Sequence, residues 1–217
     1  MQNDETTRLW VDHAHTVQTP QRLICTACRR PHSACICRWI TPVTPATEVL
    51  ILQHPLEVVH AKNTALLLHL SLLGSHMLTG EAFDAIDLHA VVQAPKYTVL
   101  LYPQSTHDPE PIADSTQLQD PAQIRLVVLD ATWRKSRKML HCSPWLKHLP
   151  RLSLEDIPES LYAIRKAHKP GQLSTLEATC AALIQLEGDA KKYLPLLDAF
   201  KGFVAQQQAY VTTSGFR

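Results

Sequence analysis

The sequence predicts an α/β domain on a mainly parallel sheet, and three observations carry that expectation. Short, mainly apolar runs recur, EVLILQHP at Glu48–Pro55, YTVLLYP at Tyr97–Pro103 and IRLVVLD at Ile124–Asp130, the first two ending on a proline and the third on an acid. Such unbroken runs suit strands buried on both faces, as in parallel sheets. Between and after them lie segments with helical spacing and helix-end residues, and strands alternating with helices pair in parallel. Only six glycines occur in 217 residues, which excludes the Gly-rich phosphate cradles of dinucleotide and P-loop folds.

Residues 1–22 show no period and open polar and acidic, MQNDETTRLW, so no signal peptide is expected. No window approaches the roughly 20 apolar residues of a membrane span, and the expected compartment is the cytoplasm. Residues 23–40 hold Cys25, Cys28, Cys35 and Cys37, spaced C-x₂-C-x₆-C-x-C. Without a secretory signal, disulfides are not expected, and two close pairs suit one structural Zn²⁺ on four thiolates, which leave no open catalytic position. The alternative is a reduced cluster without metal. Cys142 and Cys180 are expected as small buried apolar residues. Thr41–Thr47, with two prolines, is a linker. The domain organisation expected is therefore 1–45, a lead-in with the four-Cys module, and 46–217, the α/β domain.

The first strand runs to Pro55. Asn63 and Thr64 suit the cap of a helix through ALLLHLSLL to Gly74. After the second strand, which ends at Pro103, the proline-rich segment 107–121 is a surface loop. The third strand ends on Asp130. A helix from Thr132 to about His141 follows, stopped by Pro144, and HLPRLSL suggests a fourth short strand. Ser174-Thr175-Leu176-Glu177 is a capping box opening a helix to Gly188. A further helix spans Asp189 to about Tyr210, bent or started at Pro195.

Net charge is +1, from 21 basic and 20 acidic residues, so the total says nothing of a polyanionic partner. The distribution does. From Arg134 to Arg151 there are six Lys or Arg and no acid, and Arg22, Arg29, Arg30 and Arg38 form a second acid-free group. Segregated charge gives one basic face; the alternative is a solvated helix face.

Ligands of open α/β sheets bind outside the carboxyl ends of the strands. The strand-end segments QHP, LYPQS and LDATW, with the capped start of the Ser174 helix, are thus expected to converge on a pocket for a ligand with an anionic end. Asp130 is placed to act as general base or to cap the next helix. Trp133 is either a stacking surface for a base or a core residue. Ser174 and Thr175 either hold a carboxylate or only close the capping box. Arg134, Lys135 and Lys138 suit phosphates, with Arg165 and Lys166 as further candidates. His54 and His60 read as packed or solvated histidines rather than ligands.

The motif Asp130-Ala131-Thr132-Trp133 fits D-x-T-W. Around it, in order, stand Pro55-x-Glu57 with Asn63-Thr64, Leu101-Tyr102-Pro103, Tyr162-x-x-Arg165 and Leu173-Ser174-Thr175-x-Glu177-Ala178. Over residues 23–190 this series resembles the DTW-domain family, whose bacterial members share the Cys cluster. Proteins that look like this are tRNA-uridine aminocarboxypropyltransferases. They move the 3-amino-3-carboxypropyl group of S-adenosylmethionine (SAM) to N3 of a uridine in the tRNA variable loop and release 5′-methylthioadenosine. The resemblance implies a SPOUT-like, knotted fold, a transferase with tRNA as partner and no membrane, SAM as co-substrate and structural zinc on Cys25, Cys28, Cys35 and Cys37. It implies Asp130 as the catalytic residue and SAM against Tyr102, Pro103, Leu129, Thr132, Trp133, Leu173, Ser174 and Thr175. RNA would meet Arg134, Lys135, Lys138, Arg165 and Lys166. Protein partners stay unknown. Two rival functions share these features: a SAM-dependent RNA methyltransferase, and a zinc-bearing RNA-binding protein without catalysis.

Overall fold

The structure, a computed structural model, describes residues 23–60, 62–84, 95–104, 111–155 and 173–214. The expectations for residues 1–22 and for Tyr162, Arg165 and Lys166 lie outside the described residues. The chain divides into two compact units between Cys35 and Ile36. In the first, Cys25 N–H donates to the Arg30 carbonyl and Arg29 N–H to the Cys25 carbonyl, at 2.8 and 2.9 Å. Arg29 takes a left-handed φ of 54° to close this turn, and a short 3₁₀ turn follows at His32–Ala34.

The second unit is built on five parallel strands: β1 (Glu48–Gln53), β2 (His76–Thr79), β3 (Tyr97–Leu101), β4 (Ile124–Asp130) and β5 (Arg151–Leu152), in the order β2-β1-β4-β3-β5. The described helices are α1 (Pro55–Val58), α2 (Ala65–Ser71), α3 (Trp133–Cys142), α4 (Pro144–His148), α5 (Thr175–Glu187) and α6 (Ala190–Ser214). Both faces of the sheet are covered, which is why its central strands read as unbroken apolar runs. On one face Leu50, Leu52, Leu100 and Val127 pack with Phe83, with Met139 and Leu140 of α3 and with Leu146 of α4. On the other, α2 lies against β1 and α5 against β4. No helix among the described residues is long and apolar enough to cross a membrane.

Several element ends differ from expectation. α2 stops at Ser71, and Gly74, with φ 76°, turns the chain into β2 instead of closing the helix. Pro144 does not merely stop α3 but opens α4, because the first turn of a helix tolerates a residue without an N–H. α6 runs through Pro195 as one helix. The helix from the capping box ends as expected, at Gly188 with φ 69°.

A 3₁₀ turn, Cys37–Trp39, docks on α6. Trp39 Nε1 donates to Gln206 Oε1, Arg38 donates to the same oxygen at 3.3 Å, and the Arg38 guanidinium lies 4.5 Å from the centroid of the indole. A Cβ at Gly202 would fall on the six-membered ring of Trp39. Replacing a helical glycine by alanine ordinarily stabilises by about 1 kcal/mol. Here overpacking of about 1–3 kcal/mol opposes it, so Gly202→Ala is expected to lower the melting temperature by a few degrees in a thermal melt. A raised melting temperature would mean that Trp39 is not fixed against this helix.

Candidate functional site

β1 and β4 are neighbours, yet the chain leaves β1 towards β2 on one side and leaves β4 towards β5 on the other. In open α/β sheets, ligands enter at such a reversal, outside the carboxyl ends of the pair. Gln53 and Asp130 close the two strands and face each other in register. Asp130 is buried, at 6% exposure. Its Oδ2 accepts from Gln53 Nε2 at 2.8 Å and from Asn63 Nδ2 at 3.0 Å, and its Oδ1 accepts from the Thr175 hydroxyl at 2.7 Å. The Asp130 carbonyl accepts from His54 N–H at 3.0 Å. A carboxylate offers about four lone-pair positions; these three donors leave one, on Oδ1.

One reading of Asp130 is corrected here. It does not cap α3: the cap position belongs to Thr132, whose side chain makes no cap bond, and Asp130 is the last residue of β4. Among the described residues, the three donors to its carboxylate are all neutral. The ends of β1 and β4 and the start of α5 meet at the Asp130 carboxylate, whereas the end of β3 reaches α3 through Tyr102, which meets Trp133 and Ser136. The sequence marks Gln53 only as part of the strand-end segment QHP, with no role of its own. A polar residue closing an otherwise apolar strand was its one local signal.

The cations of α3 divide into two kinds. Lys135 Nζ donates to Glu57 at 2.7 Å and Lys138 Nζ to Glu81 at 2.7 Å. Glu81 also meets His54 Nε2 at 2.9 Å. His54 Nδ1 accepts from Leu56 N–H at 3.1 Å, so Nε2 carries the proton and donates. Lys138, and less strongly His54, hold the Glu81 carboxyl below its usual range, and Glu81 in turn raises Lys138. His54 is a packed histidine, 2% exposed. His60 Nδ1 accepts only from Lys62 N–H among the described residues, at 3.3 Å. Arg134 and Arg137 are exposed and form no ion pair with a described residue.

Trp133, at the start of α3, is 49% exposed and so not a core residue. Tyr102 meets it edge to face, with centroids 5.6 Å apart at 73°. The Tyr102 hydroxyl lies 3.1 Å from Ser136 Oγ, and the buried Arg151 guanidinium is 5.2 Å from its ring. Leu129 and Leu173 are half-buried, and Pro103 and Thr132 exposed. Ser174 is committed to its capping box: its Oγ accepts from Glu177 N–H at 3.3 Å and its N–H donates to Glu177 at 2.8 Å. Leu176 N–H is taken by the Thr64 hydroxyl at 3.4 Å. The start of α5 is thus tied up internally, and its Thr175 side chain serves Asp130.

The four N-terminal cysteines come together. Their sulfurs all lie within 4.8 Å of one another, and Cys28 Sγ is 3.7 Å from Cys35 Sγ. Four thiolates about 2.3 Å from one tetrahedral ion stand roughly 3.8 Å apart, so the set fits a metal. Cys180 is buried, and burial, then Glu177, pushes its thiol up to about 12; it is an inert core thiol. Cys142 lies exposed in the last turn of α3, contrary to the expectation of burial.

Residues 22–208 match the DTW domain. The chain belongs to the DTW-domain family. The DTW match includes all four cysteines, the strand-end carboxylate and the capping box. Curated relatives include a Drosophila melanogaster tRNA-uridine aminocarboxypropyltransferase 2, 31% identical over 82% of this chain and 73% of that protein. An Arabidopsis thaliana tRNA-uridine aminocarboxypropyltransferase A is 26% identical over 92% of this chain and 88% of that protein. The Mus musculus tRNA-uridine aminocarboxypropyltransferase 2 is 29% identical over 95% and 71%. No solved structure matches this DTW chain.

Proposed function

We propose that this protein is a tRNA-uridine aminocarboxypropyltransferase that works on tRNA in the cytoplasm. It moves the 3-amino-3-carboxypropyl group of SAM to N3 of a variable-loop uridine. The observation that carries the reading is a buried carboxylate with one open lone pair at the switch point of a parallel sheet, in a DTW chain whose relatives bear that name. The uridine N3 proton goes to the open position on Asp130 Oδ1. A bond then forms from N3 to Cγ of SAM while the Cγ–sulfur bond breaks. The sulfur keeps the electron pair, and 5′-methylthioadenosine leaves as a neutral thioether. Three carbons on the sulfonium are electrophilic, so positioning alone selects Cγ over the methyl group. Gln53, Asn63 and Thr175 supply part of it by fixing the carboxylate from three separate elements. Trp133, half-exposed and braced by Tyr102, is the stacking surface for the uracil or the adenine. Tyr102, Pro103, Leu129, Thr132 and Leu173 border the SAM site, with Ser174 acting as a cap.

Residues 1–45 comprise a lead-in and a four-Cys module, in which a zinc ion would be held by Cys25, Cys28, Cys35 and Cys37 and would cross-link the turn without taking part in the chemistry. Residues 46–217 form the catalytic domain, with a SPOUT-like knotted fold; the all-parallel five-stranded sheet supports that reading. Incubation with SAM and unmodified tRNA, digestion to nucleosides and mass spectrometry tests the function. The expected product is uridine carrying an aminocarboxypropyl group, with equimolar methylthioadenosine. A methylated nucleoside would establish the methyltransferase reading instead, and tRNA binding without any product would establish a non-catalytic one.

A further inference from the structure

We propose that the RNA strand runs along one side of α3, with a base at Trp133 and phosphates on Arg134 and Arg137, and that Lys135 and Lys138 do not touch RNA. The inference rests on tRNA being the substrate. At 3.6 residues per turn, Trp133, Arg137 and Arg134 fall within about 100° of the helix circumference, and all three are exposed. Arg137 follows Trp133 by four residues and Arg134 by three, spacings that bring side chains on a helix together. The track therefore starts at Trp133, three residues after Asp130 in the chain, and continues as positive charge.

The lysines are disqualified by their partners. Each ammonium sits 2.7 Å from a carboxylate, Lys135 on Glu57 and Lys138 on Glu81. A phosphate approaching either would have to displace a carboxylate or lie beside it, and an already neutralised lysine has no counterion to release on binding. Two of the four cations between Arg134 and Lys138 are thereby cancelled. The remaining charge belongs to the two arginines, whose planar, weakly hydrated guanidiniums match phosphate oxygens with two parallel hydrogen bonds. Glu57 and Glu81 act as anchors that hold the two lysines away from this track and tie α3 to the segments following β1 and β2.

The test is tRNA binding by the full chain without SAM, by fluorescence anisotropy over a range of salt. Arg134→Gln and Arg137→Gln are each expected to weaken binding and to reduce the slope of log affinity against log salt by about 0.7–0.9. The paired changes Lys135→Met with Glu57→Gln, and Lys138→Met with Glu81→Gln, remove one charge of each sign and are expected to leave the slope unchanged. A thermal melt confirms that each variant is folded. Flattened slopes in the lysine pairs, or unchanged slopes in the arginine variants, would overturn the track. Failure of the functional reading is separate: it shows as no aminocarboxypropyl nucleoside from the wild-type protein, whatever the slopes.

Discussion

Asp130→Asn is expected to stay folded and to lose about 10²–10⁴-fold in turnover, the usual share of a general base. The stability half of this result follows from the donors around the carboxylate. The amide oxygen can accept from Gln53 and Asn63 as Oδ2 does now. The amide nitrogen then faces Thr175, whose hydroxyl can reverse and accept. All three contacts survive, so the melting temperature should hardly move, while the open proton acceptor is gone. Asp130→Ala makes the contrast, because it strands three donors around a buried site at about 1–3 kcal/mol each and should melt well below the wild type. Single-turnover transfer and thermal melts on both variants decide the matter. Near-full activity in Asp130→Asn would remove Asp130 from the chemistry and leave it an organiser of loops.

Cys28→Ser is expected to abolish metal binding and to unfold the turn around it. Metal analysis of the wild type should give about one equivalent of zinc, and the variant close to none. Cys28 is the buried member of the set, with its sulfur 3.7 Å from that of Cys35. Zinc binding in small modules contributes about 10–16 kcal/mol to folding, far more than the short backbone bonds of residues 23–35 supply. Limited proteolysis should therefore cut the variant within residues 23–40. SAM affinity should persist, since Asp130 and its donors belong to other segments. A metal-free wild type as protease-resistant as the zinc-bound protein would overturn the metal role.

Strong local signals are legible in the sequence, and long-range partnerships are not. β1 and β4 were visible because burial on both faces leaves an apolar run, and α5 because a capping box needs only four adjacent residues. β2 passed unnoticed: HMLT is four residues at a sheet edge, only partly buried, with no turn chemistry of its own. Asp130 stands out in the sequence as an acid closing an apolar strand, but its surroundings do not. Gln53 and Asn63 lie 77 and 67 positions away from it, and no periodicity links them. The same blindness applies to charge. The run from Arg134 to Lys138 reads as four equivalent cations until the fold brings Glu57 and Glu81 across to two of them.

The pairing of Gln53 with Asp130 gives the carboxylate a second office, as a mark of correct assembly. Neighbouring side chains along a strand point to opposite faces, so a slip of one residue between β1 and β4 would send Gln53 away from Asp130. The buried carboxylate would then lose one of its three donors, at a cost of about 1–3 kcal/mol. The apolar residues on either side offer no such discrimination, because Val49, Leu50, Ile51 and Leu52 are buried whichever face they take. In a sheet whose neighbouring central strands are separated by some 70 residues of chain, the Asp130 carboxylate itself disfavours the misaligned pairing. A chain that has paired these two strands out of register gives up the Gln53 bond and, with it, part of what holds the carboxylate in place.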